Sequence, residues 1–358
     1  MLRAMDYRTL GVSGLNVPVM GLGTANFRGG SSPATGLGDK AAARLVDVAL
    51  ERGAGFFDTA DIYGAAEEVL GKALGKRRSL AMIATKAGLR SGPGPNDTGA
   101  TRHHLIASCE ASLRRLGTDY IDLFLLHGFD GRTPVEETLS ALETLVRAGK
   151  VRAIGASNYA GWQLMKALAA SDHRGWPRFC AHQIAWSLAM RDAESELVPV
   201  GADQNVATLV WGPLAGGVLT GRYGRKGKSF ASSRYSGLAL GLTDDESMQH
   251  VVDCLKEVGR EAGLTQSQVA LAWLLQRPTV ASVLVGASSA EQLESNLDAI
   301  ASNLSGDQIA RLDEVSAGPA PYPHRLQLGP GSERIVRPGG GGANVRVDRA
   351  LDLAGSAS

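Results

Sequence analysis

Short runs of apolar residues recur along the chain, and segments with helical spacing of apolar positions separate them. The runs lie roughly 25 to 40 residues apart, the interval expected of repeated strand–helix units. Eight runs predict eight strands: Val17 to Leu22, Gly55 to Asp58, Leu80 to Thr85, Ile121 to His127, Ala153 to Ala156, Ala181 to Ile184, Ala207 to Trp211 and Ser282 to Val285. Because eight parallel units of this length close into a ring, we predict an α/β fold of the (β/α)₈ TIM-barrel type.

The segments around these runs support the barrel over a doubly wound sheet. Gly21 to Asn26, after the first strand, lacks the third glycine of the G-x-G-x-x-G dinucleotide turn. Asp39 is an expected N-cap of a helix that reaches Arg52, and Thr133 is an expected cap with Pro134 as the first helical residue. Both signals agree with strands that alternate with helices.

Two stretches interrupt the alternation. A Gly- and Ser-rich loop over residues 212–243 is about twice the usual connection and would suit a lid over a site. Residues 317–358 are rich in Gly and Pro and predict a weakly ordered tail. We therefore predict one barrel domain over residues 1–316 followed by the tail, which either covers the site or is disordered.

Composition narrows the classes of protein. The 358 residues are 44% hydrophobic, and 37 basic against 36 acidic residues leave a net charge of +1. Such a balance recruits neither nucleic acid nor an anionic membrane, so a small-molecule partner is expected. Three scattered cysteines and the absence of a signal segment or a long apolar stretch predict a reducing, cytoplasmic location. Composition is silent on oligomeric state.

Four polar residues stand at the ends of three consecutive predicted strands: Asp58, Tyr63, Lys86 and His127. Each alone is more often a hydrogen-bonded or solvated residue, but a parallel barrel gathers catalytic groups at these strand ends. A phenol ionises only near a pH of about 10, so Tyr63 needs the Lys86 ammonium to stabilise its phenolate, and Asp58 would hold that ammonium. His127 would donate to the same carbonyl oxygen. Together they predict a general acid that protonates a carbonyl.

The sequence gives less support to a metal site, a hydrolase or a P-loop. His103 and His104 have no carboxylate or cysteine at ligand spacing, so we predict a solvated helix end and no metal site. No G-x-S-x-G occurs, and the segment that ends Gly227-Lys228-Ser229 has Arg222 where a P-loop needs its first glycine. Asp61 is interpreted as an ordinary polar loop residue.

At these residues the chain resembles the aldo-keto reductase superfamily, over about Tyr7 to Leu312. The resemblance is highly specific because a whole series of motifs occurs in the family's order: Met20 to Thr24, Phe57 to Gly64, Thr85 to Lys86, Tyr120 to His127, Ile154 to Asn158, Gln183 to Leu188, Trp211 to Gly217 and Val285 to Asn296. It implies a barrel that binds NADPH across its C-terminal face and reduces aldehydes and ketones. It also implies that Asp58, Tyr63, Lys86 and His127 form the catalytic tetrad. Relatives that reduce carbon–carbon double bonds have glutamate in place of the histidine, so His127 favours carbonyl reduction.

The resemblance also implies a set of cofactor contacts. Ser157, Asn158 and Gln183 would hold the nicotinamide carboxamide, and Trp186 would stack on the ring. The run Trp211 to Gly217, with Arg222 and Arg234, would lie at the pyrophosphate, and the residues after the eighth strand would lie at the adenosine half. The full set is Thr24, Asp58, Ser157, Asn158, Gln183, Trp186, Trp211, Gly212, Leu214, Gly217, Arg222, Arg234, Gly286, Ser288, Gln292 and Asn296. Helix capping by Asn158, core packing by Trp186 and solvated loop charges at Arg222 and Arg234 are the alternatives.

Ser288 bears on the choice of cofactor. Many relatives have an arginine there that binds the 2′-phosphate of NADPH, but the branch resembling potassium-channel β subunits has serine and still uses NADPH. We therefore predict NADPH/NADP⁺, without excluding NADH. The predicted function is NADPH-dependent reduction of an aldehyde or ketone with Tyr63 as general acid. The alternative is a cofactor-sensing regulatory subunit of the same fold with slow turnover.

Overall fold

The computed structural model describes residues 5–27, 36–223, 246–319 and 321–327. Ten strands lie in this part of the chain: β1 Tyr7–Thr9, β2 Asn16–Pro18, β3 Met20–Gly23, β4 Phe56–Asp58, β5 Met82–Ala87, β6 Ile121–Leu126, β7 Val151–Ser157, β8 Ala181–Ala185, β9 Ala207–Trp211 and β10 Val280–Val285. Eleven α-helices accompany them: α1 Asp39–Glu51, α2 Ala66–Leu74, α3 Arg102–Leu116, α4 Val135–Arg147, α5 Gly161–Arg174, α6 Leu197–Gln204, α7 Glu246–Ala262, α8 Gln266–Leu275, α9 Ala290–Leu297, α10 Gly306–Ser316 and α11 His324–Gln327.

Eight of the strands close into a barrel in the order β10-β3-β4-β5-β6-β7-β8-β9, and every neighbouring pair is parallel. The predicted TIM-barrel fold is confirmed. Every helix in the described residues is too short or too polar to span a bilayer.

The first predicted strand is wrong in its bounds. Val17 to Leu22 divides at Val19 into the end of β2 and most of β3. β2 pairs antiparallel with β1 in a hairpin outside the barrel sheet. Because Leu10 and Val17 from this hairpin are fully buried among residues of the barrel interior, the hairpin closes the amino end of the barrel.

Two expected helix caps are also wrong. α1 has Gly38 at its N-cap position, so Asp39 lies in the first turn, where its charge still suits the helix dipole. In α4 the N-cap residue is Pro134, and Thr133 donates its hydroxyl hydrogen to Asp130 at 2.6 Å instead. Each expected start is displaced by one residue.

Side chains on the strands form two apolar layers. Those facing outward pack against the helices, Phe57, Ile83 and Phe124 among them. Those facing inward form a second cluster: Leu10, Val17, Phe56, Ala84, Leu123, Leu125, Ala153, Cys180, Ala181, Ala207, Leu209, Ala281 and Leu284. Because strand side chains alternate between the two faces, the next inward positions on β4 and β5 are Asp58 and Lys86.

Of the predicted loop the structure describes residues 212–223, and of the predicted tail it describes residues 317–319 and 321–327. Residues 215–220 form a short 3₁₀ segment, and residues 224–245, with most of the predicted lid, lie outside the described residues. Residues 328–358 of the tail lie outside them as well. The domain boundary at residue 316 stays a prediction.

Candidate active site

Three of the four candidate catalytic residues stand at the carboxyl ends of neighbouring strands. Asp58 ends β4, Lys86 is the second-last residue of β5 and His127 directly follows β6. Tyr63 lies in the loop after β4, where its NH donates to the Ala60 carbonyl at 3.1 Å and turns the chain toward α2. Parallel pairing in register therefore gathers the four side chains at one end of the barrel.

Asp58 and Lys86 form a buried ion pair. Lys86 is fully buried, and its Nζ lies 2.7 Å from each carboxylate oxygen of Asp58 and 2.8 Å from the Thr59 carbonyl. Burial by itself lowers the pKa of Lys86, but the Asp58 carboxylate and Tyr63 outweigh burial, and the pKa lies above its ordinary value. Lys86 is therefore a cation with a fixed position at neutral pH.

Tyr63 lies near both this cation and the imidazole of His127. The Lys86 Nζ is 5.1 Å from the centre of the Tyr63 ring. The Tyr63 and His127 rings meet edge to face, with their centres 5.8 Å apart and an angle of 78° between their planes. A phenol in this position has both a positive charge and a second hydrogen-bond donor close to its ring.

His127 is neutral in this environment. Burial, and after it the Lys86 charge, lower the pKa of His127 to about 3. Its Nδ1 is buried and has no hydrogen-bond partner among the described residues. A neutral imidazole carries one N–H, so His127 can donate to a carbonyl oxygen without taking its proton.

The residues expected at the carboxamide come together across the barrel. Gln183 Nε2 donates to Asp58 Oδ1 at 2.7 Å, and the Ser157 hydroxyl donates to the Gln183 carbonyl at 3.1 Å. Asn158 has a left-handed backbone with φ 56°, and its Nδ2 donates to the His127 carbonyl at 3.1 Å. An exposed amide beside Gln183 is suitable chemistry for a planar carboxamide.

The side chain of Trp186 lies in the core. Its side chain is only 2% exposed, its ring packs edge to face on Trp273 of α8, and its Nε1 donates to Glu194 at 2.8 Å. Trp211, at the end of β9, is half-buried, and its Nε1 donates to Asn158 Oδ1 at 3.0 Å. Trp211 is thus an indole beside the residues expected at the carboxamide, and the stacking role expected of Trp186 stays a prediction.

The glycine-rich segment after β9 has backbone that only glycine adopts easily. Gly212, Gly216 and Gly217 have φ of 67°, 64° and 99°. Leu214 packs on the core beside them, and Arg222 is exposed. Arg234 lies outside the described residues.

The expected adenosine residues lie on and before α9. A Cβ added to Gly286 would meet no atom within 4 Å. Gln292 accepts from both the NH and the hydroxyl of Ser288 at 2.8 Å, so those two residues already pair with each other. Asn296 is 3% exposed, and its Nδ2 has no partner among the described residues.

Thr24 lies directly beside the backbone of Asp58. Its side chain is fully buried, and its hydroxyl donates to the Asp58 carbonyl at 3.0 Å. Its NH donates to the same oxygen at 2.8 Å. Thr24 therefore supports the backbone of Asp58, and its expected contact with the cofactor stays a prediction.

Sequence reasoning missed the burial of the Asp61 carboxylate and of the His104 side chain. Asp61 is not an ordinary loop residue, since both of its carboxylate oxygens are buried. His104 is not solvated: it is 3% exposed, and its ring contacts the Ser91 hydroxyl at 3.0 Å and the Gly99 carbonyl at 2.8 Å. The acidic side chain inside the Phe57 to Gly64 motif was the available signal for Asp61.

Within the described part of the chain, no group of three or more His, Cys, Asp or Glu residues could hold a metal ion.

A family model described as the aldo/keto reductase family matches residues 19–317. The chain belongs to the aldo/keto reductase family. This match covers all eight barrel strands together with the site described above. Aldo-keto reductases are oxidoreductases, so the chain is a member of an oxidoreductase family.

The names of individual relatives indicate different functions. The chain is similar to an uncharacterized oxidoreductase, YrpG, of Bacillus subtilis, with 37% identity over 88% of this chain and 97% of the relative. A probable voltage-gated potassium channel subunit beta of Arabidopsis thaliana is 35% identical over 83% of this chain and 91% of the relative. The L-glyceraldehyde 3-phosphate reductase of Escherichia coli strain K12 is 34% identical over 87% of this chain and 92% of the relative.

Proposed function

We propose that this aldo-keto reductase uses NADPH to reduce an aldehyde or ketone to an alcohol, with Tyr63 as the general acid. The observation that carries the proposal is the fully buried Lys86, held by Asp58 at 2.7 Å and directed at the Tyr63 ring at 5.1 Å. Burying an ammonium is costly unless it is paired with an anion. Packing of the apolar core gives no reason to place an ammonium there. A cation fixed beside a phenol is the arrangement that proton donation from the phenol requires.

Each of the four residues has a distinct part in the proposed reaction. The reduced nicotinamide, when bound, supplies a hydride to the carbonyl carbon. Tyr63 gives its proton to the carbonyl oxygen, and Lys86 stabilises the phenolate left behind. Asp58 keeps Lys86 charged and in place, and the neutral His127 donates a hydrogen bond to the oxygen as negative charge develops there. The products are an alcohol and NADP⁺.

Residues along the far side of the barrel mouth fit a dinucleotide. The buried Nδ2 of Asn296 has no hydrogen-bond partner among the described residues, and a bound ligand can satisfy such an atom. The positive φ of Gly216 and Gly217 lets backbone approach a phosphate closely. Ser288 and Gln292 are exposed or half-buried at the adenosine end, where a 2′-phosphate would find polar partners without an arginine.

The rim on the substrate side is apolar. Ile62, Leu89 and Trp162 are 37%, 40% and 60% exposed, and they follow β4, β5 and β7. Phe129, after β6, packs on Trp162 with ring centres 5.5 Å apart. Exposed apolar groups that cluster at a mouth favour a carbonyl substrate with an apolar or aromatic substituent.

A second candidate function is supported by the similarity to the channel β subunit. In that case the same site would bind the cofactor and sense it with slow turnover. A multiple-turnover assay with NADPH and a nitrobenzaldehyde separates the two. Oxidation of more than one equivalent of NADPH per chain supports the enzyme, and a single equivalent supports the sensor.

Tyr63→Phe tests the role of the general acid. We expect this variant to lower kcat by about 10² to 10⁴ while the affinity for NADP⁺ in a fluorescence titration stays nearly unchanged. The matched control is Tyr120→Phe, which removes a phenol at the start of β6, at the opposite end of the barrel, and should retain full activity. An equal loss of reduction and cofactor binding in Tyr63→Phe would contradict the assignment.

A further inference from the structure

A buried histidine lies in the first turn of α3, apart from the four candidate catalytic residues. His104 is 3% exposed, whereas its neighbour His103 is exposed. The Nδ1 of His104 lies 2.8 Å from the Gly99 carbonyl oxygen, and its Nε2 lies 3.0 Å from the Ser91 hydroxyl oxygen. A carbonyl oxygen only accepts, so Nδ1 carries a hydrogen, and in the neutral imidazole Nε2 accepts from Ser91. Both ring nitrogens are therefore bound to the loop that precedes the helix.

Residues 88–99, named the β5 loop, begin directly after β5. The Gly99 NH donates to the Gly88 carbonyl at 2.9 Å, and this hydrogen bond joins the two ends of the loop. His104 contacts Ser91 near the start of the loop and Gly99 at its end. One imidazole thus connects both arms of the β5 loop to α3.

A carboxylate binds the residue that follows the β5 loop. Asp130, three residues after His127, accepts the Ala100 NH on Oδ2 at 2.8 Å. Its Oδ1 accepts the Arg132 NH at 2.8 Å, so the carboxylate is also held within its own loop. Gly99 permits the close approach, since a Cβ there would lie 2.6 Å from Asp130 Oδ2. The end of the β5 loop is therefore bound both to α3 and to the loop that begins at His127.

The start of the β5 loop carries an apolar residue of the rim. Leu89 is 40% exposed and comes three residues after Lys86. A Cβ added to Gly128, the residue after His127, would lie 3.9 Å from Leu89 Cδ2. Leu89 is thus next to the backbone that carries His127. As an exposed residue, Leu89 takes its position from the backbone of the β5 loop rather than from burial in the core.

We propose that His104 is a positioning residue for the substrate site, because it fixes the β5 loop and thereby holds Leu89 as an apolar wall near His127. This inference rests on the proposed function, in which a carbonyl substrate binds at this rim. A wall that is already fixed contacts an apolar substituent without the entropy cost of ordering a loop. His104 therefore increases the selectivity for carbonyl compounds with large apolar substituents, although its own ring is buried away from the substrate.

His104→Leu tests the inference, and His103→Leu makes the same change at the exposed neighbour. The measured quantity is the ratio of kcat/KM for a nitrobenzaldehyde to kcat/KM for acetaldehyde, which has only a methyl substituent. We expect His104→Leu to lower this ratio about tenfold, mainly through a higher KM for the nitrobenzaldehyde, and His103→Leu to leave it unchanged. An unchanged ratio in His104→Leu would overturn the role in selectivity.

Leu89→Ala distinguishes positioning from a general loss of stability, because it removes the wall itself. Its ratio should fall by about the same factor, and the double variant His104→Leu/Leu89→Ala should lose no more than either single variant. Independent effects would multiply to about a hundredfold loss and would overturn the inference. Ser91→Ala removes one partner of His104 from the exposed loop and serves if His104→Leu does not fold. It should lower the ratio about threefold, and no change would contradict the proposal.

Amide hydrogen exchange tests the attachment of the loop without any turnover. The Ser91 NH donates to the Asp97 carbonyl at 2.9 Å, so Ser91 and Gly99 both have amides that report on the loop. Exchange at these two amides should become at least about tenfold faster in His104→Leu and stay unchanged in His103→Leu. Equal exchange in the two variants would overturn the fixing of the loop. If exchange is faster in a chain that reduces neither aldehyde, the attachment by His104 is upheld and the proposed function fails.

Discussion

The two ends of the barrel interior have the same backbone and opposite chemistry. On β4 the inward side chain changes from Phe56 to Asp58 over one repeat of the strand, and on β5 it changes from Ala84 to Lys86. All four are at least 95% buried. The amino end stabilises the fold through apolar packing, whereas the carboxyl end holds a buried ion pair whose net contribution to stability is small. On each of these two strands, the residue that packs in the apolar layer and the residue of the candidate active site are thus about two positions apart.

The amino end is also closed and the carboxyl end open. The β1–β2 hairpin covers the amino end with Leu10 and Val17, and Arg8 donates from Nη2 to the Leu275 carbonyl at 2.6 Å. At the other end Asn158 is exposed and Trp211 half-buried. If the comparison is right, substitutions at the two ends should affect different measurements.

The largest effect is expected from Lys86→Met. Loss of the cation should lower kcat by about 10² to 10⁴ and also destabilise the fold by about 3–5 kcal/mol, because Asp58 is left buried and unpaired. Reduction assays and denaturant unfolding measure the two effects. The double variant Asp58→Asn/Lys86→Met should regain much of the stability without the activity. If it regains activity as well, the ion pair is only structural.

Phe56→Ala should have a comparable effect on stability alone. We expect a loss of about 3–5 kcal/mol in the free energy of unfolding, since a fully buried ring leaves a cavity. Activity per folded molecule should change little, because the ring lies a layer below the ion pair. Leu80→Ala, at a side chain that is 65% exposed, is the control and should cost less than about 0.5 kcal/mol. A Phe56→Ala enzyme that is stable but inactive would remove the distinction between the ends.

Gly11→Ala should weaken the closure of the amino end. Gly11 has φ +54°, and a Cβ there would overlap the Cys180 carbonyl oxygen and lie 2.7 Å from that of Asn205. We expect a loss of about 1–3 kcal/mol in urea unfolding, with kcat unchanged. Gly14→Ala, in the same hairpin, meets no atom within 4 Å and should be nearly neutral. Equal effects of the two variants would show that the hairpin does not close the barrel tightly.

The smallest effect concerns the titration of His127. Because burial and Lys86 lower its pKa to about 3, reduction should show no change due to this imidazole between about pH 5 and 8. The native state resists a proton that the unfolded chain accepts near pH 6.5, so His127 should lower stability progressively as the pH falls from about 6.5 toward 3. NMR titration of labelled histidines, with the exposed His103 as internal reference, measures this directly. A His127 that titrates near pH 6.5 would mean that the carboxyl end is far more hydrated than its geometry indicates.

The sequence alone determined the barrel and the strand ends that carry the candidate catalytic residues. Both follow from local patterns, namely apolar runs with regular spacing and the polar residue that ends each run. Asp58, Lys86 and His127 could therefore be assigned to one end of the barrel before any contact was known. The match of residues 19–317 to the family model agrees with that assignment of the fold.

Only the tertiary structure decided what each side chain faces. Gln183 reaches Asp58 across 125 residues of sequence, and no local pattern specifies such a contact. Trp186 turns outward to Trp273 because inward and outward positions alternate along the chain after Gln183, whereas Trp211 lies beside the carboxamide residues. The burial of Asp61 likewise depends on α2 and α3 packing over its loop. The direction and the burial of a side chain depend on elements that are distant in sequence. The pattern of residues along the chain therefore does not specify them.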